Sequence, residues 1–404
     1  MQVLVFNCGS SSLKFDLIDL DPSGRRGRTL GRGTFEEIGH GGRSEFIDGG
    51  GVRHEQSGTA KDHPAAALEA ITWLETITAD APLKAGAIVH RIVHGGPDLT
   101  TPVIADAKVI GALEAASIFA PLHNPLSVAT LRAVGRRLPE PPSVIVADTF
   151  FHQTMPDQAR EYALPRTLAG RYQLRRYGFH GIAHAWMMER YAALKSAAPA
   201  AVNLITLQLG AGCSVCAIRA GRSVDTSMGL TPLEGLMMAT RSGDLDPAIA
   251  TFLIEHAGVS ASKVEEILNH ESGLLGVSGV SGDLRTVEAA AKSGNRDAAL
   301  ALRMFCYRVR KYIGAYLAAL GDADALVFGG GIGEHSASVR AEICAELKPL
   351  GVELDPERNA QTHGREGLIS AGGSRLEVFV IPVDEELYMA RVADRLVGAL
   401  RKSS

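Results

Sequence analysis

The feature that most restricts the fold is a pattern that occurs twice, about two hundred residues apart. In the first copy a short apolar run at 3–6 leads into Asn7-Cys8-Gly9-Ser10-Ser11-Ser12, and apolar residues then mostly alternate over 13–18. In the second, 203–209 is the run, Gly210-Ala211-Gly212-Cys213-Ser214 the small-residue turn, and 215–219 the way out. Each copy reads as strand, turn, strand, since alternation is the mark of a half-buried strand. A return at about half the chain length indicates an internal duplication, with a period too long for a solenoid.

At 404 residues the chain exceeds one ordinary core, single domains running to roughly 100–200 residues, so two domains are expected. Further β-rich runs lie at 87–93, 143–147 and 325–328. The second delivers Asp148 at its C-terminal end, and the third runs into Gly329-Gly330-Gly331-Ile332-Gly333. Ala-rich helical stretches occupy 64–78, 126–137, 181–193, 246–257 and 297–320, and 385–400 reads as an amphipathic helix that packs back onto the first half. Strands alternating with helices imply an α/β fold with ligands outside the strand C-termini. Two related halves with facing glycine turns predict a cleft between them. Segment 21–61, rich in Gly, Arg and His, fits either a β-meander or a mobile flap.

Forty-one basic against forty-five acidic residues, a net charge of −4, argues against a nucleic-acid or anionic-membrane partner. The N-terminal apolar run of four residues falls short of the ~7–15 of a secretory leader and the ~18 of a membrane span. Five thinly spread cysteines read as reduced thiols, hence a cytoplasmic protein. Cys213 and Cys216 form a C-x-x-C within a strand, without the helix start of a redox pair or further zinc ligands. The His90/His94 pair is predicted on a strand, where residues i and i+4 are ~13 Å apart. The His180/His184 pair lacks the Glu of His-Glu-x-x-His, so zinc is rejected for both.

Three small-residue turns, at 7–12, 210–214 and 329–333, can bring backbone N–H groups against a phosphate. The last precedes a helix start, but none has the Walker spacing. Polar residues interrupt apolar runs at Arg91, His123, Asp148, His180 and Arg241. Each alone fits a structural ion pair or a satisfied core histidine. Two Arg, two His and one Asp at strand ends together point to a site that handles anions.

Nine blocks carry a resemblance. They are Asn7 to Phe15, His90 to Gly96, Ala120 to Pro125, Asp148 to Pro156 and Arg176 to Gly181 in the first part, then Asp225 to Gly229, Thr231 to Gly235, Thr240 to Asp244 and Gly330 to Glu334. In this order and over nearly the whole chain they resemble the acetate kinase family of the sugar kinase–Hsp70–actin superfold. The resemblance implies two duplicated ribonuclease-H-like (actin-like ATPase) domains with an interdomain cleft. The first would span 1–150, completed by a C-terminal helix at 385–404, and the second, nucleotide-binding, 151–384. It implies a cytoplasmic homodimer that moves a phosphoryl group reversibly from ATP to acetate with Mg²⁺, giving acetyl phosphate and ADP.

Carried over residue by residue, Arg91 and Arg241 would clamp the carboxylate and the transferring group, with His180 donating to that group. Asp148 and Asn7 would orient the substrate and the phosphate–metal assembly, and Glu385, or Glu386 in a shifted register, would help hold Mg²⁺. Val93, Leu122, Phe179 and Pro232 would surround the methyl group, with His123 beside the substrate. The nucleotide would lie on Asp283, Leu284, Arg285, Gly329, Gly330, Gly331, Ile332 and Gly333, and on Lys14, Gln208, Gly210, Ala211 and Gly212. The chain departs from the resembled pattern at Gln208 for His, Ala211 for a phosphate-contacting Asn, Ala239 for Gly, Leu284 for Phe and Asp384 for Asn. These departures imply altered donor affinity. Propionate or another short acid as acceptor, a nucleotide-binding paralogue of weak turnover, and a phosphohydrolase stay open. The residues alone also leave open a hydroxyl kinase with Asp148 as base, although a carboxylate acceptor, with its pKa near 4, needs no base.

Overall fold

Both halves of the chain are built on the same five-strand frame. The computed structural model describes residues 1–24, 26–57, 60–80 and 83–403. Residues 25, 58 and 59 of segment 21–61, and residue 404 of the expected C-terminal helix, lie outside the described residues. The chain divides into one unit of Met1–Phe150 with Asp384–Ser404 and a second of Phe151–Val383.

The first unit holds strands β1 (Gln2–Cys8), β2 (Leu13–Leu20), β3 (Gly27–Phe35), β4 (Arg43–Asp48), β5 (Arg53–Ser57), β6 (Ala87–Ile92), β7 (Val103–Ile104) and β8 (Ser143–Ala147). Their order is β5-β4-β3-β2-β1-β6-β8-β7. The second holds β9 (Leu204–Leu209), β10 (Cys213–Arg219), β11 (Arg222–Thr226), β12 (Ala325–Gly329), β13 (Gly367–Leu368) and β14 (Glu377–Val380), in the order β11-β10-β9-β12-β14-β13. In each sheet the first strand of the unit has an antiparallel meander on one side and two parallel crossover strands on the other. This is the expected duplication, seen as identical topology.

The central strands are apolar on both faces, as parallel strands covered by helices must be. Val3 to Phe6 and Leu204, Ile205 and Leu207 are all fully buried. The strands also run further than their sequences suggested. β1 continues through Cys8, and β10 already begins at Cys213, so the turns shrink to 9–12 and 210–212. Gly9 N donates to Ser12 O at 2.8 Å and Gly210 N to Gly212 O at 3.1 Å, closing each turn.

Between the two readings of segment 21–61, the described residues form the meander. β3, β4 and β5 extend the first sheet because Phe35 and Phe46 point to the same covered face. Their rings meet at 5.3 Å, and Phe15 packs on Phe46 at 5.7 Å. Helix His63–Thr78 closes over them, started by Asp62, whose side chain accepts from Ala65 N, and by proline in its first turn. The helix expected at 246–257 is shorter, Ala248–Glu255. Asp246 caps its start by accepting from Ala248 N at 2.9 Å.

Arg340 is fully buried and ionised without a carboxylate, its three nitrogens shared among Asn359 Oδ1 and the carbonyls of Gly333, Glu334, Asn359 and Thr362. It thereby satisfies the last carbonyls of helix Gly330–His335, the turn that follows β12. All five cysteines are buried and free. Among the described residues no helix is long and apolar enough to cross a membrane.

His90 on β6 is 1% exposed, stacks on Phe6 at 5.7 Å, and neither ring nitrogen has a hydrogen-bond partner. Burial pushes its pKa down to about 3. A histidine lowered on folding binds fewer protons than the unfolded chain between about pH 3 and 6.5, so it removes stability as pH falls through that window. His90→Leu is therefore expected to flatten the acid limb, gaining about 2 kcal/mol over the parent at pH 5. Urea unfolding at pH 5 and pH 8 checks this, and an equal effect at both values would contradict it.

Candidate active site

In the first unit the parallel register sets Asn7 beside Arg91, and Arg91 beside Val146 two residues before Asp148. Asp148 is fixed by its own N–H, which donates to Ile92 O at 2.8 Å. Arg91 then grips Asp148 in fork geometry, Nε to Oδ1 at 3.0 Å and Nη2 to Oδ2 at 2.5 Å. Its Nη1 donates to Asn7 Oδ1 at 2.9 Å. These bonds use three of the five guanidinium N–H groups and set the plane in which the other two point. Burial alone would weaken the charge on Arg91, but Asp148 and then Glu385 raise its pKa above the usual value.

Glu385 opens helix Glu385–Ser403. Burial pushes its pKa up to about 7, Arg91 pulls against this, and Asp148 and Glu386 push with it. Asp384 caps that helix by accepting from Leu387 N at 2.9 Å. Burial and then Glu386 also drive Asp16 on β2 up to about 8. Sequence reasoning missed Asp16, which looks like the polar face of an alternating strand. Its displaced pKa is visible only once Glu386 and Asp384 are beside it.

Burial disfavours the ionised form of Glu385, a cation beside it would restore that form, and Asn7 and Glu385 offer hard oxygens only. That donor set suits Mg²⁺, which takes one or two protein carboxylates and fills its shell from water and phosphate. Among the described residues no group of three or more His, Cys, Asp or Glu could hold a metal by itself. Lys14 stands on β2 opposite Asn7. Val93 follows β6 and is 8% exposed, whereas Leu122, expected in an apolar pocket, is 63% exposed. His123 stands at the N-cap position of helix Asn124–Arg137, which Asn124 ties to the 94–96 turn by donating to His94 O at 2.8 Å.

In the second unit His180 stands at φ +56°, at the start of helix Gly181–Leu194. A non-glycine residue there is unusual, and strain of this kind collects at functional sites. Its Nδ1 pairs with Ser214 Oγ at 2.9 Å. The other edge of the ring looks toward the 210–212 turn. A Cβ added to Gly212 would lie 3.4 Å from His180 Nε2 and 3.6 Å from Arg241 Nη1. Arg241 donates to Pro232 O at 2.9 Å and touches Met238 Sδ at 3.5 Å. Burial lowers its pKa, and among the described residues it forms no ion pair. Phe179 is buried at 2% exposure, its carbonyl meeting His152 Nε2 at 3.0 Å.

The same turn forms one wall of a cavity of about 940 Å³. Gly210, Ala211, Asp283, Leu284, Arg285, Gly331 and Ile332 line it. Gly329, Gly330 and Gly333 do not line it. A Cβ on Gly330, at φ +73°, would come within 2.7 Å of Leu209 O, so this glycine allows the turn to press against β9. Gln208 sits just before the turn, paired with Ser214 in the ladder, and its Oε1 is buried without a partner. Asp283 caps helix Leu284–Lys292 and pairs with Arg285 at 2.6 Å. That contact holds its pKa down to about 2. Sequence reasoning missed Glu288, Ser336, Ser338, His335 and His363 on the cavity wall. Ser338 donates to Glu288 at 2.7 Å, and the two histidine rings meet edge to face at 4.7 Å. Glu288 lies one turn beyond Arg285 on an amphipathic helix, which is the only sequence signal for any of them.

The duplicated frame, and a cavity walled in part by Gly210, Gly282 and Gly331 with Arg241 facing the adjoining turn, fit a phosphotransferase of the actin-like ATPase fold. Residues 2–391 match the Acetokinase family. An acetate kinase of Chloroherpeton thalassium is 44% identical, over 98% of this chain and 99% of that protein. The crystal structure of Porphyromonas gingivalis acetate kinase superposes with a TM-score of 0.90 at 38% identity, over 98% of this chain and 99% of the other. That of a propionate kinase from Francisella tularensis superposes at 0.88 and 36% identity, over 97% and 98%. The chain belongs to the acetokinase family and is an ATP-dependent carboxylate kinase.

Proposed function

We propose that the chain phosphorylates acetate, with Mg²⁺ and ATP, and that the reaction runs reversibly through acetyl phosphate. The observation that carries the reading is Arg241, a desolvated guanidinium with no carboxylate partner among the described residues, beside the turn that His180 also faces. Such a cation is prepared for a dianionic or trianionic group. Transfer between an already ionised carboxylate and a phosphoryl group needs no base. It needs cancellation of repulsion and of the charge spread over the transferring oxygens. Arg241 and the Nε2 side of His180 supply this in the second unit. In the first, Arg91 holds the acceptor carboxylate with the N–H groups that Asp148 and Asn7 leave unused. Asn7 and Glu385 would hold Mg²⁺, which when bound neutralises phosphate charge. Asp148 acts by orienting Arg91. Its two oxygens are already committed to that guanidinium, which disfavours a role as base toward a hydroxyl.

Turnover with acetate, propionate and butyrate tests the acceptor. Acetate is expected to give the largest kcat/KM, with each added methylene costing about 1–3 kcal/mol in the transition state. A preference for propionate would move the reading to that acid and leave the mechanism standing.

Ala211 lines the cavity but offers no side-chain donor, where the resembled pattern has Asn. Ala211→Asn is expected to lower the KM for ATP about three- to tenfold, the worth of about one hydrogen bond, with kcat changed less. An unchanged KM would show that the position does not reach the phosphates.

We place the homodimer contact on helix Ala248–Glu255. None of its residues is buried, it carries a single charge, and Ile249, Phe252 and Ile254 are 45%, 59% and 40% exposed. An apolar helix of this kind suits a second copy of itself, since a two-fold contact is self-complementary. Phe252→Asp is expected to yield a monomer by sedimentation velocity, and an unchanged dimer would refute this placement.

A further inference from the structure

The ring of His180 is held by a line of polar groups that runs back into the core. Ser214 Oγ lies 2.9 Å from His180 Nδ1 and 2.8 Å from His184 Nε2, and His184 Nδ1 lies 2.7 Å from Thr206 Oγ1. Ser214, His184 and Thr206 are all fully buried. Thr206 and Ser214 stand on the paired strands β9 and β10, and His184 one turn into helix Gly181–Leu194. One hydroxyl is therefore shared by two imidazoles, one facing the site and one sealed in the core.

The proton count of such a line is tightly limited. A hydroxyl donates one proton, and a neutral imidazole carries one N–H and one lone pair. His184 is neutral, because burial first, and then His152 and His180 beside it, hold its pKa well below the usual value. Two polarities satisfy every bond. In the first, Thr206 donates to His184 Nδ1, His184 Nε2–H donates to Ser214, and Ser214 donates to His180 Nδ1. His180 is then neutral with its proton on Nε2. In the second every bond is reversed, so that His180 Nδ1–H donates to Ser214, Ser214 to His184 Nε2, and His184 Nδ1–H to Thr206. This fits an imidazolium, which carries Nε2–H as well, and it fits a neutral ring bare at Nε2, a form that a phosphate anion facing that nitrogen disfavours. Passing from the first to the second takes up one proton from solvent. His180 gains Nδ1–H, His184 exchanges Nε2–H for Nδ1–H, and both hydroxyls keep their protons.

We propose that Ser214, His184 and Thr206 form a reversible tautomer relay that keeps a proton on His180 Nε2 in both ionisation states of that ring. The relay rests on the reading above, in which His180 donates to the transferring phosphoryl group. Its members are positioning residues and do not touch substrate. Arrival of a phosphate anion raises the proton affinity of His180, and the relay reverses its polarity without losing a bond. The charged or titratable groups that face it are few. Arg241 lies on the turn side of His180. His152 is 5.7 Å from His184, with its own nitrogens on Ser223 Oγ and Phe179 O. Cys213 and Cys216 on β10 are thiols raised by burial and uncharged.

The test is ring ¹⁵N NMR of the full chain, histidine-labelled and free of nucleotide, followed from pH 9 to pH 5 (round values set by the ordinary imidazole range). The expected result is Nε2–H on neutral His180 and on His184. As His180 titrates, His184 changes to Nδ1–H while staying neutral. A His184 tautomer that does not change across the titration would overturn the relay, as would neutral His180 protonated on Nδ1. Thr206→Val gives a second arm, removing the far hydroxyl without altering His180 or Ser214. A kcat lowered roughly three- to tenfold at unchanged KM, with His184 locked in one tautomer, supports the relay, and parental kcat refutes it. His180→Gln with parental turnover would instead sink the donor role of His180, an outcome separate from either NMR result.

Discussion

Arg241→Ala is expected to lower kcat by roughly 10²–10³-fold, in line with removing a preorganised partner of transition-state charge, while the KM for ATP stays within about threefold. The split follows from where Arg241 sits. It donates to Pro232 O and faces the Gly212 turn with His180, but it is not among the residues that line the nucleotide-sized cavity. Nucleotide binding should therefore survive its loss. Because Arg241 has no ion-pair partner among the described residues, the substitution strands no carboxylate and should cost little stability. Arg241→Lys is not expected to rescue, since a point charge does not reproduce the planar fork. Initial-rate kinetics with equilibrium nucleotide binding on the same variant checks both halves. A fall in affinity that matched the fall in rate would place Arg241 in ground-state binding instead.

Asp148→Asn should hurt in two ways at once. Asp148 is 2% exposed at its side chain and is the bidentate partner of Arg91. Replacing the carboxylate leaves a largely buried guanidinium without its counter-charge, costing on the order of 3 kcal/mol. Arg91 then leans on Asn7 and Glu385 and turns away from the acceptor. Glu385 gains from this, since Arg91 is the group that lowers its pKa against burial. The expected outcome is a kcat/KM for acetate reduced about 10²-fold or more, the cost of misplacing a clamp, with a clear drop in Tm. A Tm equal to the parent's would contradict this account of the Arg91–Asp148 pair.

The duplication was legible because each copy of the frame begins with a run too apolar for an exposed strand, followed by residues too small for anything but a turn. The sequence leaves segment 21–61 undecided because Gly27, Gly31 and Gly33 blur its alternation. What fixes it is Phe46 meeting Phe35 and Phe15 across the sheet, a contact between segments that no local window contains. Arg91, Asp148, His180 and Arg241 stood out as polar interruptions of apolar runs, and the resemblance supplied their roles. The bonds among them were not legible. Nothing in the sequence says that Arg91 spends three N–H groups on Asp148 and Asn7, or that the i, i+4 pair His180 and His184 shares the Ser214 hydroxyl. Glu288 and His363 were missed on the cavity wall because neither follows a motif, and each reaches it through the packing of a separate helix or loop.

The most direct test of the central claim is acid-dependent ADP release by the purified chain with ATP and Mg²⁺, run with and without acetate in hydroxylamine. The account predicts release that requires the acid and is matched mole for mole by acetohydroxamate, the trapped acyl phosphate. Release of ADP at the same rate without acetate, or with acetate but with no hydroxamate formed, would contradict it and make the chain a phosphohydrolase.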